Sequence, residues 1–548
     1  MSNADAIGIV LEGGTPNVVK ALIRADHDVK IGEFLIVRDR EGRMGLVQVE
    51  HYEYGNDFYT ESLGIVKSLI DSEVLASVLD KSTYLSVWLR VIKENNAKVQ
   101  MPGNLVLKFP EIKDINKLDQ TQKKFLELLY EEKLEDPRYV KYGRIINTNI
   151  PLLLKINALP MHMGIFGETG SGKSYNMRYL IDVFSNIEYD GKHYAIPMIV
   201  IDANGDYIDL AILSMKREYV NRNGSRQMIT RYTFTDIPNS QRFRLDMNLF
   251  TPSDIAYMVI TAKYRDTDVA QASLQMNLLE LALNELRDED YNTLFVEDGF
   301  SKLQQKVNEI VEERKDELGF TKNTQRALQS ALQTFRSKVK EYDLISSDGE
   351  AFSYDTLDEI FFKQGLVIID FSADGAPGMD LLTKQIVVGY IARLMLNYLV
   401  KKKMNNERRI LSLVIEEAQN YIPSENYPVN ARLTKDVLAT LATQGRKFGA
   451  SLILISQRPA FVDKVVLSML NSFIFHRVYH EDVKYIQSAT GGISEQLAKE
   501  LISLPRGQAI VTGLINSLEI PVRVQIDRKS ELESDIGSEG DILEILSG

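Results

Sequence analysis

Eight consecutive residues have the types and the spacing of a phosphate-binding loop. They read Gly167-Glu168-Thr169-Gly170-Ser171-Gly172-Lys173-Ser174 and fit the pattern G-x-x-x-x-G-K-[ST]. An apolar run precedes them and a helical pattern follows, which is the context that this loop requires. Glycines let backbone N–H groups converge on phosphate oxygens, Lys173 can reach the β- and γ-phosphates, and Ser174 can ligate Mg²⁺. These residues, with Tyr175, predict a site for ATP and Mg²⁺.

Two acids follow a second apolar run. Residues 411–415 are apolar except for Ser412, and Glu416-Glu417 follow them directly. In phosphoryl transfer one acid can hold the metal while another orients and deprotonates the attacking water. We expect Glu416 in the first role and Glu417 in the second. The alternative for such a pair is a simple contribution to the start of a helix.

Two further polar residues end buried runs. Gln457 follows residues 451–456, and Asp202 follows residues 197–201. Ligands of open α/β sheets bind outside the carboxyl ends of the strands. Gln457 is therefore expected beside the γ-phosphate as a sensor of hydrolysis. Asp202 either belongs to the same site or merely caps the next turn.

A parallel sheet would bring these strand ends together. Five brief runs are apolar on both faces: residues 163–166, 197–201, 366–371, 411–415 and 451–455. Strands that are covered on both sides have this pattern, so the sequence predicts an α/β fold with a mainly parallel sheet between helices.

The rest of the chain divides by pattern into further segments. Short strands at residues 6–11, 30–37, 44–50 and 105–109 predict a small β-barrel. The expected segments are a barrel at 1–112, a helical connector at 113–150, a core in two parts at 151–251 and 346–526, a helical insertion between them at 252–345, and an acidic flexible tail at 527–548.

Composition excludes several kinds of site. The 548 residues include no cysteine, which removes disulfides, thiolate zinc sites and iron–sulfur clusters, and only six histidines. The formal net charge is −12, and half of it comes from the six acids that follow residue 530 without a Lys or Arg. The remainder is too mildly acidic to support or exclude a nucleic-acid partner. With no signal peptide and no run of about 18 apolar residues, a cytoplasmic protein without a membrane segment is expected.

The order of these motifs resembles the HerA branch of the HerA–FtsK family of ring ATPases. Residues 416–421, Glu-Glu-Ala-Gln-Asn-Tyr, are similar to the family signature Glu-Glu-Ala-His-Asn-Phe. Residues 202–207 are similar to the family's Asp-Pro-His-Gly-Glu-Tyr, from which Ala203 and Asn204 depart. Residues 444–449, 456–459 and 504–509 also match family stretches, and the N-terminal segment resembles the barrel that HerA shares with ATP-synthase subunits.

The resemblance implies a RecA-like P-loop core, a homo-hexamer around double-stranded DNA, ATP at the subunit interfaces and a NurA-type nuclease partner. Arg446 is then expected to reach the phosphates of a neighbouring subunit, with Arg458 as the second candidate. The alternative is that Arg446 and Lys447 simply form the solvated basic end of a helix. The family often carries arginine where this chain has Met161 and Thr443, so interface catalysis is expected to be arranged differently or weakened.

One basic stretch is a candidate for contact with DNA phosphates. It contains Lys216, Arg217, Arg222, Arg226 and Arg231. Within it, Asn223-Gly224 predicts a hairpin turn. A channel-facing hairpin and a solvated surface hairpin fit this pattern equally well.

Two other functions remain open at this stage. One is a conjugation or packaging ATPase, and the other is a scaffold that assembles a nuclease and uses ATP as a structural ligand. Stimulation of ATP hydrolysis by DNA would separate a DNA motor from a scaffold.

Overall fold

The computed structural model describes most of the chain as two compact units. The N-terminal unit comprises Met1–Ile156 and Phe475–Asp527, and the central unit comprises Asn157–Ile474 and Arg528–Gly548. The described residues are 6–15, 17–24, 26–56, 83–110, 112, 117–146, 148, 150–210, 229–264, 272–314, 319–345, 350–372, 378–490, 493, 495–529 and 532.

Six antiparallel strands form a closed barrel in the N-terminal unit. They are β1 (Ala6–Thr15), β2 (Val18–Arg24), β3 (Phe34–Arg38), β4 (Met44–Asn56), β5 (Thr83–Lys93) and β6 (Leu105–Lys108), in the order β1-β2-β5-β4-β3-β6. Alternate residues of β2, namely Val19, Ala21 and Ile23, are buried in its interior. The expected barrel is therefore present. Sequence patterns miss β2, whose apolar residues are interrupted by Lys20, and also miss β5.

The connector after the barrel is only partly helical. Helix α1 (Gln120–Tyr130) begins at Asp119, whose side chain accepts a hydrogen bond from the Gln122 backbone. Three strands follow: β7 (Tyr139–Tyr142), β8 (Arg144–Ile145) and β9 (Leu152–Lys155). The segment expected to be helical to residue 150 thus ends in strands, two of which, β7 and β9, pair antiparallel.

The central unit is built on a sheet with the order β15-β14-β16-β13-β17-β18-β10-β19. Its strands are β10 (Met163–Phe166), β13 (Met198–Asp202), β14 (Ile229–Thr233), β15 (Gln241–Arg242), β16 (Leu366–Asp370), β17 (Leu411–Ile415), β18 (Ala450–Ser456) and β19 (Ser472–Phe475). A separate hairpin pairs β11 (Ile187–Tyr189) with β12 (Lys192–Tyr194). Every pair from β15 to β10 is parallel, as the five apolar runs predict.

Helices surround this sheet. They are α2 (Lys173–Phe184), α3 (Pro252–Thr261), α4 (Ser273–Glu285), α5 (Glu297–Glu313), α6 (Lys322–Glu341), α7 (Tyr354–Phe362), α8 (Leu381–Met404), α9 (Arg432–Gln444) and α10 (Lys464–Met469). Helices α3 to α6 pack on one another and form the insertion between β15 and β16. Leu278, Leu279 and Leu283 of α4 are fully buried, so these three leucines are packing residues.

The last part of the chain first returns to the N-terminal unit. It contains α11 (Val483–Thr490), α12 (Glu495–Glu500), β20 (Gln508–Gly513) and β21 (Val522–Gln525), and β20 pairs with β21, which pairs with β8. Residues 475–526, which the sequence pattern assigns to the second core segment, are thus grouped with the N-terminal unit. Within the described ranges, no helix is long and apolar enough to cross a membrane.

Short 3₁₀ turns complete the described structure. They lie at Glu131–Leu134, Ile156–Met161, Met247–Leu249, Thr293–Phe295, Ala418–Asn420, Gly445–Phe448, Pro459–Phe461, His480–Asp482 and Leu501–Ser503.

Candidate active site

The register of the central sheet brings four strand ends to one edge. Phe166 of β10 pairs with Ser456 of β18. Ile415 of β17 pairs with Leu454 of β18 and, on its other side, with Ile201 of β13. Because these strands are parallel, the residues that follow them meet at a common edge, where open α/β sheets bind ligands. Those residues are Gly167, Gln457, Glu416 and Asp202.

The predicted phosphate loop connects β10 to α2. Gly170 and Gly172 have φ angles of 76° and 105°, a left-handed region that favours glycine. Helix α2 begins at Lys173, so its N-terminal N–H groups lie at the end of the loop. The Lys173 ammonium donates to the Glu168 carbonyl at 3.0 Å. Burial lowers the pKa of Lys173, and the nearby carboxylates, above all Glu417, oppose that shift.

The hydroxyl of Ser174 lies between two carboxylates. It is 2.8 Å from Asp206 Oδ2 and 3.3 Å from Glu416 Oε1. The Tyr207 hydroxyl also donates to Glu416 Oε1, at 3.3 Å. Ser174 and Glu416, predicted from separate motifs, thus lie together, and Asp206 and Tyr207 join them.

Glu416 has the surroundings of a cation ligand. Its side chain is 3% exposed, and its Oε2 atom has no hydrogen-bond partner among the described residues. Burial and the charges of Asp202 and Asp206 raise its pKa, so a bound cation would offset the cost of ionising it.

The residues present fit Mg²⁺. The part of the chain that the structure describes has no group of three or more carboxylates or imidazoles arranged to hold a metal alone. Mg²⁺ usually takes one or two protein oxygens and completes its shell with phosphates and waters. Ser174 and Glu416 would hold it here, and the ion would neutralise charge on the phosphate oxygens.

Asp202 shapes the loop that carries Asp206. Its Oδ1 accepts backbone N–H bonds from Gly205 at 2.8 Å and from Asp206 at 3.0 Å, and its Oδ2 accepts one from Tyr207 at 2.9 Å. The side chain is fully buried, and burial raises its pKa. Asp202 thus caps this turn, and it also lies at the sheet edge beside Glu416, whose pKa its charge raises.

Glu417 has a left-handed backbone, with φ 50° and ψ 47°. Such a conformation costs about 1–3 kcal/mol in a residue other than glycine and persists where the surroundings impose it. The Gln457 amide donates to Glu417 Oε1 at 3.0 Å, and the Gln419 amide donates to Oε2. Both oxygens of the expected base are therefore bonded to glutamine side chains.

Gln457 also contacts the phosphate loop. Its Oε1 accepts a hydrogen bond from the Thr169 hydroxyl at 2.9 Å. One side chain thus joins Thr169, beside the expected γ-phosphate position, to Glu417 on a different strand end. That position suits a residue that senses hydrolysis.

The two arginine candidates lie at opposite ends of β18. Arg446 is exposed in the turn Gly445–Phe448, which precedes β18, whereas Gln457 and the phosphate loop lie beyond its far end. Arg458 follows Gln457, and its guanidinium packs over the Phe461 ring at 4.6 Å. Arg458 is therefore near the loop within its own chain, and Arg446 is not.

Helix α2 also contacts the C-terminal segment. The Tyr175 hydroxyl accepts a hydrogen bond from the Lys529 backbone at 2.7 Å. The Lys529 ammonium bonds Asp182 at 2.5 Å, and Leu532 is buried. The segment expected to be a flexible tail from residue 527 thus begins with residues fixed to the nucleotide-binding helix, and Tyr175 has a role in that contact.

The structure contradicts the expectation that Arg231 contacts DNA. It lies on β14 inside the sheet, 7% exposed, and its guanidinium bonds Asp370 Oδ2 at 2.6 and 3.0 Å. A buried, paired arginine cannot also contact phosphates in solvent. The other four candidates, Lys216, Arg217, Arg222 and Arg226, lie outside the described residues.

Three site residues are not singled out by sequence reasoning. They are Asp206, Tyr207 and Gln419. All three lie inside the stretches that resemble family signatures, so those stretches carry the signal. Spacing alone does not show which side chain of a stretch reaches the loop.

Several known proteins are similar to this chain. Residues 140–395 match the family described as "Helicase HerA, central domain". The "DNA double-strand break repair helicase HerA" of Saccharolobus solfataricus is 25% identical over 96% of this chain and 94% of its own length. The protein of that name from Pyrococcus furiosus is 19% identical over 97% of this chain and 94% of its own length.

Among solved structures, the "Plasmid coupling protein TrwB in complex with ADP and Mg2+" is 17% identical and covers 71% of this chain and 89% of its own, with a TM-score of 0.48. The family match includes the phosphate loop, and the relatives align over nearly the whole chain. Residues 140–395 therefore match the central domain of HerA helicases, and the chain is similar to these proteins over nearly its whole length.

Proposed function

We propose that this ATPase uses hydrolysis to move along double-stranded DNA as a homo-hexameric ring, with a nuclease partner in the processing of DNA ends. Relatives that align over nearly the full chain are named DNA double-strand break repair helicases. ATP with Mg²⁺ is the proposed substrate form.

Each residue of the site has a part in this hydrolysis. Lys173 and the N-terminus of α2 stabilise negative charge on the phosphates. Glu417 takes the proton of the attacking water, and Gln457 helps to place that carboxylate. Glu416 and Ser174 hold the metal side of the nucleotide.

The position of Arg446 carries the argument for a ring. Strand β18 has seven residues, which at about 3.3 Å per residue puts Arg446 roughly 20 Å from the loop of its own chain. An arginine that stabilises the transferring phosphate must touch it. We infer that Arg446 serves the site of a neighbouring copy, which is a head-to-tail contact of the kind that closes rings.

Mixing inactive subunits tests this inference. We expect Arg446→Ala and Glu417→Gln to be inactive separately. Random mixing in a head-to-tail ring would recover about one quarter of the wild-type ATPase, because some intact loops then face an intact Arg446. Arg408→Ala, which removes another exposed charge, serves as the control and should stay active. No recovery on mixing would contradict a role across the interface.

Duplex DNA distinguishes a motor from a scaffold. We expect ATP hydrolysis by the wild type to rise when duplex DNA is added, and native mass measurement to give six subunits. Hydrolysis that DNA does not change would favour the scaffold function instead.

The basic segment that lies outside the described residues is proposed to contact the DNA backbone. Replacing both Arg222 and Arg226 with Ala should weaken DNA binding and reduce its salt dependence, because each lost phosphate contact lowers the salt slope by about one. An unchanged salt dependence of DNA binding would show that this segment does not contact the DNA backbone.

The nuclease partner is the part of the proposal that rests on family resemblance alone. A NurA-type nuclease encoded in the same genome is expected to co-purify with the chain and to gain activity on DNA ends when ATP is present. If the two purified proteins neither bind each other nor change each other's activity, the nuclease partnership is refuted and the motor proposal is unaffected.

A further inference from the structure

Two glutamine side chains bond the carboxylate of Glu417. The position of Gln457 at a strand end already suggests its role, whereas the role of the second glutamine is not explained by its position. Gln457 holds Oε1, and Gln419 holds Oε2. We propose that Gln419 is a positioning residue that fixes the Glu417 carboxylate for proton abstraction. The proposal rests on the role of Glu417 as the base of the proposed function.

The hydrogen bonds around Gln419 determine which way its amide points. The Ser456 hydroxyl lies 2.7 Å from Gln419 Oε1 and accepts a bond from the Arg458 backbone N–H at 3.2 Å. The same hydroxyl also lies 3.2 Å from the Arg458 carbonyl, but Gln419 Oε1 is the nearer acceptor. The hydroxyl therefore donates to Gln419 Oε1, and the amide nitrogen faces Glu417. Ser456 ends β18, so the sheet itself fixes the Gln419 side chain.

Burial makes this arrangement rigid. Gln419 is 7% exposed and Ser456 is 1% exposed. The Asn420 backbone N–H donates to the Glu417 carbonyl at 2.8 Å, which holds Glu417 and Gln419 in one tight turn. The strained backbone of Glu417 therefore has support on its C-terminal side as well as at its carboxylate.

The two amides leave Glu417 able to act as a base. An ionised carboxylate has about four acceptor positions on its two oxygens, and each amide uses one of them. Free lone pairs remain for a water, and their direction is set by the two bonds. Without Gln419 the carboxylate would lose one of the two contacts that fix its direction.

The role of Gln419 is tested by removing its donor and then restoring it. Gln419→Leu keeps similar volume without an N–H group, whereas Gln419→His offers one ring N–H at similar reach. ATP turnover without DNA gives kcat and KM, and a fluorescent ATP analogue gives nucleotide affinity. Gln48→Leu is the matched control, because Gln48 is also buried and bonds two backbone carbonyls of the N-terminal unit, those of Gly32 and Pro521.

A general base contributes about 10²- to 10⁴-fold to the rate, so partial loss of its orientation should lower kcat about tenfold in Gln419→Leu. KM and nucleotide affinity should stay within about twofold, because Gln419 holds the base rather than the phosphates. Gln419→His should regain most of the lost kcat, and Gln48→Leu should keep the wild-type value.

Two results would overturn the proposal: an unchanged kcat in Gln419→Leu, or a loss of nucleotide affinity as large as the loss of kcat. Glu417→Gln in the same assay distinguishes an error in the base assignment from an error in the positioning role of Gln419. If that variant hydrolyses ATP, the base assignment fails. If it is inactive while Gln419→Leu is normal, only the positioning role fails.

Discussion

The hydroxyl of Ser174 is 2.8 Å from the carboxylate of Asp206, which lies 32 residues later and follows a different strand. The serine of the phosphate loop is thus held by an acid that no part of the loop motif specifies. Asp202 holds that acid in turn, through the backbone of its turn. The metal side of the site therefore depends on three strand ends, those of β10, β13 and β17.

Asp206→Asn should weaken the binding of ATP in the presence of Mg²⁺. Substitution of a residue that bonds a metal ligand typically lowers metal affinity by about 10- to 100-fold. This variant also removes one negative charge beside Ser174. Affinity for ATP in excess EDTA should change much less. A fluorescent ATP analogue titrated under both conditions measures the difference.

Asp236→Asn is the control for this measurement, because Asp236 is 93% exposed and remote in sequence from the strand ends of the site. An equal loss of affinity with and without Mg²⁺ in Asp206→Asn would show that Asp206 acts on the nucleotide or the fold rather than on the metal.

Gly449→Ala should destabilise the central unit. Gly449 has φ 92°, and an added Cβ would lie 1.9 Å from the carbonyl oxygen of Arg409. The conformation alone costs about 1–3 kcal/mol in a residue with a side chain, and the clash adds to that. Thermal or urea unfolding measures the loss.

Gly191→Ala is the matched control, because Gly191 has φ 67° and nothing within 4 Å of an added Cβ. It should carry only the conformational cost. Equal unfolding midpoints for the two variants would refute the close approach of Gly449 to Arg409.

Arg231→Ala should act on stability rather than on DNA binding. The substitution leaves Asp370 buried without its partner, which typically costs about 3–5 kcal/mol. Arg314→Ala removes an exposed partner of Glu285 and should cost about 0–1 kcal/mol. A folded Arg231→Ala protein with normal stability and weak DNA binding would restore Arg231 as a DNA contact.

Truncation after Asp527 should lower the unfolding temperature of the central unit. It removes the Lys529 contacts to Tyr175 and Asp182 and exposes the surface that covers Leu532. Burial of a leucine alone contributes about 1.5–3 kcal/mol. Truncation after Leu532 retains these contacts and is the control; identical melting of both shortened proteins would show that the contacts contribute nothing.

Sequence patterns reveal much of this architecture because buried parallel strands are apolar throughout. Glu416 and Gln457 follow from that pattern and from the sheet edge, and Lys173 follows from the loop motif. Arg231 is misread because local charge counts cannot show that its partner, Asp370, lies 139 residues later on the adjacent strand. Asp206 and Gln419 are missed because tertiary contacts decide which side chain of a turn points to the loop.

Strand β10 lies between two strands that are synthesised much later than itself. Its neighbours are β18, at Ala450–Ser456, and β19, at Ser472–Phe475. During synthesis the strand that carries the phosphate loop emerges almost 300 residues before either neighbour exists, so local contacts alone must protect it until then. A ribosome stalled before residue 450 would display the complete loop motif on a chain that has no strand to hold it.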